Sequence, residues 1–314
     1  VIGLPDIEEA RRRIAPHVRR TPLMPARPVS RPARGEEGLT LKLESLQVTG
    51  SFKARGATNK VLTTPPDRAA RGLVTASGGN HGLGVAYAGA LAGVPVTIYL
   101  PLNVPPAKAR KLERWGARLV WGGDVWDDAN RAALEAAERE GLTYVHPFAD
   151  PAVMAGQGTL GLEVLEDAPE TDLVLVAIGG GGLIAGVATA VTEMRPGTRV
   201  IGVEPVGAPT LFESLRAGRV IELPSISTAA NTLAPRSSAE VNFEVVRQRV
   251  ESIVLVDDDE MREAARWLWF EAGVAAELSG AAAVAAVLAG KVDLTGVRSA
   301  CAIVCGAGTD GLDA

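Results

Sequence analysis

The sequence predicts an α/β fold built on two open, twisted, mostly parallel sheets flanked by helices. Three observations carry that prediction. Eight short runs are mostly continuous in apolar residues, which marks strands covered on both faces. Helical patterns separate them, so the strands are joined by crossovers. Packing also falls to small residues, since 47% of the chain is apolar but only 4% aromatic.

In chain order the strand candidates are LTLKL (Leu39 to Leu43), GLVTA (Gly72 to Ala76), VPVTIYL (Val94 to Leu100) and ARLVW (Ala117 to Trp121). DLVLVAI (Asp172 to Ile178), RVIGVEP (Arg199 to Pro205), SIVLV (Ser252 to Val256) and SACAIVC (Ser299 to Cys305) follow. Helices are expected near residues 83–93 and 105–116, and over Asp124 to Glu140 and Asp258 to Ala272. Residues 72–145 then form a small βαβαβ domain inserted into a larger one made of 1–68 plus 147–314. HPFADPAVMAGQGT (His146 to Thr159), rich in Gly and Pro, reads as a crossover loop. Arg27 to Gly38 reads as a solvated loop rich in Pro, Gly and Arg.

Composition excludes several classes. The formal net charge is −5 with the basic residues scattered, so no nucleic-acid-binding stripe is expected. Cys301 and Cys305 are the only cysteines, too few for a disulfide framework or, alone, a structural zinc site. No signal peptide and no membrane-spanning run is seen, so a cytoplasmic protein without a membrane partner is expected.

Three glycine-rich loops sit beside apolar runs. TASGGNHGLG (Thr75 to Gly84) follows a strand and opens a helix, where free backbone N–H groups make an anion site. Ser77 and Asn80 add side-chain hydrogen bonds, although an ordinary tight turn would also read this way. VLVAIGGGGLIAG (Val174 to Gly186) places four glycines, Gly179 to Gly182, before a helix, as a backbone cradle for phosphate requires. It also spells a dinucleotide fingerprint in Gly180, Gly182 and Ala185, with Glu204 ending the next strand as the ribose acid. The third loop begins at Cys305, at a strand's carboxyl end where ligands bind in such sheets, although a small buried hydrophobe there is equally ordinary.

Lys53, one of only six lysines, lies between Phe52 and Ala54 just after an apolar strand. An amine in an apolar setting forms Schiff bases, and a phosphate cradle with a polar loop completes a pyridoxal phosphate site. A nicotinamide oxidoreductase would leave Lys53 and SGGNHG unexplained.

At these motifs the chain resembles the fold-type II (tryptophan-synthase-β-like) pyridoxal-phosphate enzymes, in the branch of threonine/serine dehydratases (threonine ammonia-lyases) and serine racemases. RTPL (Arg20 to Leu23), GSFKARGA, SGGNHG, HPF…GQGT, GGGGLIAG and CGAGTD carry the resemblance in that order, over almost the whole chain. It implies pyridoxal 5'-phosphate in an interdomain cleft, Schiff-bonded to Lys53, the likeness also giving Lys53 the part of base. Phe52 flanks the ring, Asn80 bonds the phenolic oxygen, and Gly179, Gly180, Gly181, Gly182 and Leu183 hold the phosphate. Ser77, Gly78, Asn80 and His81 bind the substrate carboxylate, His81 through its amide. Phe148 lines the substrate pocket, and Cys305 faces the pyridine nitrogen. A thiol of ordinary pKa near roughly 8.5 is a poor counter-ion for a pyridinium, so elimination is favoured over transamination.

Two departures set the chain apart from the racemases. Gly78 stands where they carry an acid/base serine, and Phe148 where they carry asparagine. One-sided proton chemistry follows, and with it β-elimination from L-threonine or L-serine to 2-oxobutanoate or pyruvate plus ammonia. A serine racemase, a dehydratase of a 3-hydroxyaspartate-type amino acid and a catalytically silent ligand-binding homologue are the alternatives. In the family's cation loop Glu204 and Ala208 are kept while Thr210 replaces an acid, which leaves a metal unknown. STAANTLAP (Ser227 to Pro235) and ELSGAA (Glu277 to Ala282) also depart from the family pattern. The resemblance further implies a homodimer, and, since the chain stops just after CGAGTDG, no dedicated site for isoleucine inhibition.

Overall fold

The structure, a computed structural model, describes residues 2–27, 38–102, 104 and 106–312. Most of the Arg27 to Gly38 loop lies outside the described residues. The chain opens with α1 (Leu4–Ile14), whose Pro5 stands in the first turn where its missing N–H costs nothing. Strands β1 (Leu23–Pro25) and β2 (Leu39–Leu43) lead to α2 (Lys53–Thr63) and the single turn α3 (Pro66–Ala69). There follow β3 (Leu73–Ala76), α4 (Asn80–Ala92), β4 (Val96–Leu100), α5 (Pro106–Glu113), β5 (Arg118–Trp121), α6 (Trp126–Glu140) and β6 (Thr143–Tyr144). The remainder runs α7 (Pro151–Asp167), β7 (Leu173–Ala177), α8 (Gly182–Met194), β8 (Arg199–Pro205), α9 (Thr210–Ala217), α10 (Glu240–Arg249), β9 (Ser252–Val256), α11 (Asp258–Ala272), α12 (Leu278–Leu288) and β10 (Ala300–Val304).

Two sheets result. The larger has the order β1-β2-β10-β7-β8-β9, parallel throughout except for β1. The smaller, β5-β4-β3-β6, is entirely parallel. Every apolar run read as a strand forms one. In the larger sheet Leu173 to Ala177 and Ala300 to Val304 are buried at every position, as runs covered by helices on both faces must be.

The stretch from His146 to Thr159 is not a crossover loop: from Pro151 onward it is the first half of α7. Asp150 caps it through Oδ1, which accepts from Ala152 N at 2.8 Å and Val153 N at 3.4 Å, and Pro151 fills the first position. Its glycines serve packing instead of turning. A Cβ added at Gly156 would come 2.7 Å from Arg55 O, and one at Gly186 of α8 would come 2.3 Å from Met154 O. Bare α-carbons therefore let α2, α7 and α8 approach backbone to backbone.

The cores follow the sheets. The main one gathers around Leu41, Val174, Leu175, Ile303 and the alanine face of α12. A second holds Leu73, Val85, Ile98 and Leu112, and it includes Ala57 and Val61 of α2. Helix α2, which begins at Lys53, thus packs on the smaller sheet's core as well as on α7. No helix among the described residues is long and apolar enough to cross a membrane.

Candidate active site

Parallel pairing aligns the carboxyl ends of β2, β10, β7 and β8, and the singled-out residues follow those ends. β2 leads through two 3₁₀ turns to Lys53, β10 runs into Cys305, and β7 feeds the glycine loop. Phe52 N donates to Cys305 O at 3.2 Å, which ties the first two together.

Lys53 Nζ donates to Pro147 O at 2.7 Å and lies 5.0 Å from the centre of the Phe52 ring. Burial lowers its pKa to about 8, against the pull of Cys305 and Glu277. Part of the residue's surface nevertheless stays open. An amine half neutral near pH 8 is a competent nucleophile.

The next residue, Phe148, joins Lys53 to the glycine loop. A Cβ added at Gly180 would come 2.2 Å from Phe148 Cδ1, and one at Gly182 would come 2.8 Å from Phe148 Cα. Gly179 and Gly181 have φ of +57° and +94°, where side chains are strained. All four positions therefore require glycine. Gly182 and Leu183 occupy the first turn of α8, where their N–H groups have no acceptor within the helix and are free to bind an anion. Asn242 Nδ2 and Ser238 Oγ donate to Gly180 O at 2.7 Å and 2.9 Å and hold the loop in place. The sequence reading missed both, because they lie some 60 residues beyond the loop they support.

Asn80 opens α4, and its Nδ2 donates to Glu277 Oε1 at 2.7 Å. The second amide hydrogen is left for another acceptor. Gly306 fits between them, since a Cβ there would meet Glu277 Oε1 at 2.4 Å and Asn80 Nδ2 at 3.2 Å. Cys305 Sγ donates to Ser279 O at 3.4 Å, and burial pushes the thiol's pKa up, so it carries no negative charge. Thr232, from the stretch whose sequence departs from the family, places its hydroxyl within hydrogen-bond reach of both Glu277 and Ser279, and its single hydrogen serves one of them at a time. Its Oγ1 lies 3.4 Å from Glu277 Oε1. It also borders both loops, with its O 3.2 Å from a Cβ added at Gly179 and its Cγ2 4.0 Å from one at Gly79.

The other predicted residues take quieter places. Ser77 Oγ accepts from Gly79 N at 3.3 Å, and a Cβ at Gly78 would run into Val104, 2.7 Å from Cγ2. His81 is buried, its Nε2 paired with Val145 O at 2.9 Å. Burial and the charge of Lys53 hold its pKa at about 3, so the ring is neutral, with Nε2 engaged by the Val145 carbonyl.

Glu204 is buried, and its Oε1 and Oε2 accept from Leu211 N at 2.9 Å and Phe212 N at 2.8 Å, capping α9. A carboxylate so used is not a free ribose ligand, which removes the support for a dinucleotide site. Thr210 Oγ1 donates to Pro235 O at 2.8 Å. Among the described residues no group of three or more His, Cys, Asp and Glu gathers as a metal site.

An amine of lowered pKa, a glycine cradle at a helix N-terminus and an amide with a hydrogen to spare define a site that fits pyridoxal phosphate. The chain belongs to the pyridoxal-phosphate dependent enzyme family, whose model matches residues 14–306. It is 42% identical over 303 residues to an L-threonine ammonia-lyase of Thermotoga maritima, covering 96% of this chain and 75% of that one. Maize serine racemase superposes with a TM-score of 0.91 at 33% identity, covering 97% of this chain and 93% of the other. The processed threonine deaminase isoform 2 of Solanum lycopersicum does so at 0.90 and 33%, covering 98% and 89%.

Proposed function

We propose that this protein is an ammonia-lyase that dehydrates and deaminates L-threonine and L-serine, releasing ammonia with 2-oxobutanoate or pyruvate. The makeup of the asparagine loop carries the choice of elimination over racemisation. Ser77 is turned to Gly79 N, Gly78 has no side chain, Asn80 is bonded to Glu277, and His81 is buried and neutral. None of them is placed to move a proton, which leaves Lys53 as the base on one side of the substrate.

Pyridoxal phosphate, when bound, supplies the electron sink that acidifies the substrate's Cα–H. Lys53 would join its aldehyde, Phe52 flank the ring, and Asn80 donate its second hydrogen to the cofactor. Gly179 to Gly182 with Leu183 would hold the phosphate. The amides at the start of α4 bind the substrate carboxylate, where the helix's partial positive charge favours an anion. Lys53 would take the Cα proton, the electrons of that bond would form the Cα=Cβ double bond, and the β-hydroxyl would leave with the C–O pair, gaining a proton to become water; hydrolysis of the released enamine by a second water then gives the oxo acid and ammonia. Cys305, an uncharged thiol, would stand by the ring nitrogen and would be a poor counter-ion for a protonated one, in keeping with a reaction whose leaving group takes the charge away. Phe148 offers an apolar surface to threonine's methyl, which discriminates by only about 1–3 kcal/mol, so serine also reacts.

We place the cofactor between a smaller unit of residues 72–145 and a larger one of 1–68 plus 147–314. A homodimer in the cytoplasm completes the reading. The test is a panel of amino acids scored for oxo-acid release, with chiral chromatography of recovered serine. We expect 2-oxobutanoate from L-threonine and pyruvate from L-serine with little D-serine. D-Serine forming as fast as pyruvate would make the protein a racemase. No oxo acid from any hydroxy amino acid would make it a silent homologue.

A further inference from the structure

On the smaller sheet, at the opposite strand ends from the asparagine loop, lies a recess of about 440 Å³ lined by Lys60, Arg68, Arg71, Gly141 and Tyr144 among others. Its volume falls in the range of small-molecule sites. Three cations from consecutive stretches converge here: Lys60 in the last turn of α2, Arg68 in α3, and Arg71 just beyond it. Among the described residues the one ion pair these cations make is Lys60 Nζ with Asp150 Oδ2, at 2.6 Å. Arg68 and Arg71 form no ion pair with any described residue. In a chain of net charge −5 this local excess of positive charge runs against the whole.

The recess offers guanidinium groups as its free donors. Arg71 Nη1 lies 3.2 Å from where a Cβ at Gly141 would stand, so the absence of a side chain there lets the guanidinium lie over the backbone. The nearby amides are already taken, Leu142 N by Ala137 O and Thr143 N by Gly72 O. The Tyr144 hydroxyl donates to Asn130 Oδ1 at 2.5 Å. Donors remain on the two arginines, whose planar forks match a phosphoryl group in paired hydrogen bonds.

We propose that this recess is an anion site for a phosphoryl group, either free phosphate or a small phosphorylated metabolite, held by Arg68 and Arg71 with Lys60 behind them. The bound anion competes with Asp150 for Lys60. Asp150 caps α7 two residues after Phe148, and Lys60 lies on the helix that begins at Lys53.

Calorimetric titration of the purified holoenzyme, its cofactor in place, tests this at constant ionic strength made up with chloride. Inorganic phosphate and glycerol phosphate are the two probes. Saturable binding at one site per chain is expected, weakened at least tenfold in the Arg68→Ala/Arg71→Ala variant with the cofactor's visible absorption unchanged. Both arginines are exposed, so the variant keeps its fold. Equal affinity for the two probes means that the phosphoryl group alone is read. Tenfold tighter glycerol phosphate means that the recess also takes the organic part. A response that never saturates, or a double variant that binds as tightly as the wild type, overturns the site.

Discussion

Lys53 owes its chemistry to where the chain buries it. An ordinary lysine, with a pKa near about 10.4, is well under about 1% neutral at pH 8, whereas burial brings this one to about 8. In the apoprotein the rate of pyridoxal phosphate uptake, followed by its visible band, should climb up to about pH 8 and then level off. A rate still climbing steeply through pH 10 would contradict the lowered pKa. The sign for stability is also set. The unfolded chain holds the proton up to its own value of 10.5, so the apoprotein gains stability as pH rises from about 8 toward that value. Replacing Lys53 with alanine removes the base and should cut turnover by at least about 10²–10⁴-fold, with oxo-acid release as the readout. Gly78 carries a second prediction. Its φ is not in the strained left-handed range, but a serine there strikes Val104, 2.7 Å away. Gly78→Ser alone should lose about 1–3 kcal/mol in urea unfolding from overpacking. Gly78→Ser with Val104→Ala should recover most of that loss and release measurable D-serine on a chiral column. The missing serine was legible in the sequence, because Gly78 sits inside a recognisable motif. Val104 was not, since nothing local in a sequence says which residue will cover a glycine 26 positions away.

Strands were legible where a run of five or more residues was mostly apolar. All eight strand runs qualified, whereas β1 and β6, three and two residues long, are too short for any pattern to register. Helix α7 was hidden for a different reason. Gly156, Gly158 and Gly161 lower helix propensity, and sequence alone cannot tell a glycine that turns the chain from one that admits a neighbouring helix. The contacts make that difference measurable. Gly186→Ala, with its methyl 2.3 Å from Met154 O and 2.6 Å from Gly158 N, must push α7 and α8 apart and should cost about 1–3 kcal/mol. Gly197→Ala, with nothing within 4 Å and no left-handed φ, is the matched control and should change stability by less than about 0.5 kcal/mol. Urea unfolding of both holoenzyme variants, compared at unchanged m-value, checks the pair. Equal destabilisation would mean that helix propensity or unfolded-chain entropy, rather than close packing, explains the glycines.

At the scale of the molecule, a buried ionic cluster joins β2, α2 and α7 behind the active site. Lys42 Nζ donates to Glu163 Oε2 at 2.6 Å, and Arg55 bridges Glu163 Oε1 at 2.7 Å and Glu44 Oε1 at 2.8 Å. Thr21 Oγ1 adds a bond to Glu44 Oε1 at 2.5 Å. Lys42, Glu44 and Arg55 are essentially without solvent exposure, and Arg55 lies two residues from Lys53. Two cations and two carboxylates balance, so the cluster tolerates burial as long as it is whole. Removing Glu163 leaves Lys42 without its close carboxylate and Arg55 with Glu44 alone, so Glu163→Gln should cost about 3–5 kcal/mol. Replacing the Lys42–Glu163 pair together by Met and Leu removes both charges, although Arg55 then loses one of its two partners. The double variant should therefore cost less than the sum of the single changes, and a double-mutant cycle in urea measures the coupling. Acid gives an independent handle. Burial opposes the charge on Glu44, but Arg55 beside it outweighs that penalty and holds its pKa below the ordinary 4.5. Its stabilising contribution is therefore full above about pH 4.5 and disappears as pH falls through the lower folded value. Glu44→Gln should make the protein less stable at pH 7 and flatten the acid limb of its stability curve below about pH 4.5. An acid limb as steep in the variant as in the wild type would show that other carboxylates, not this cluster, set the acid limit of the fold.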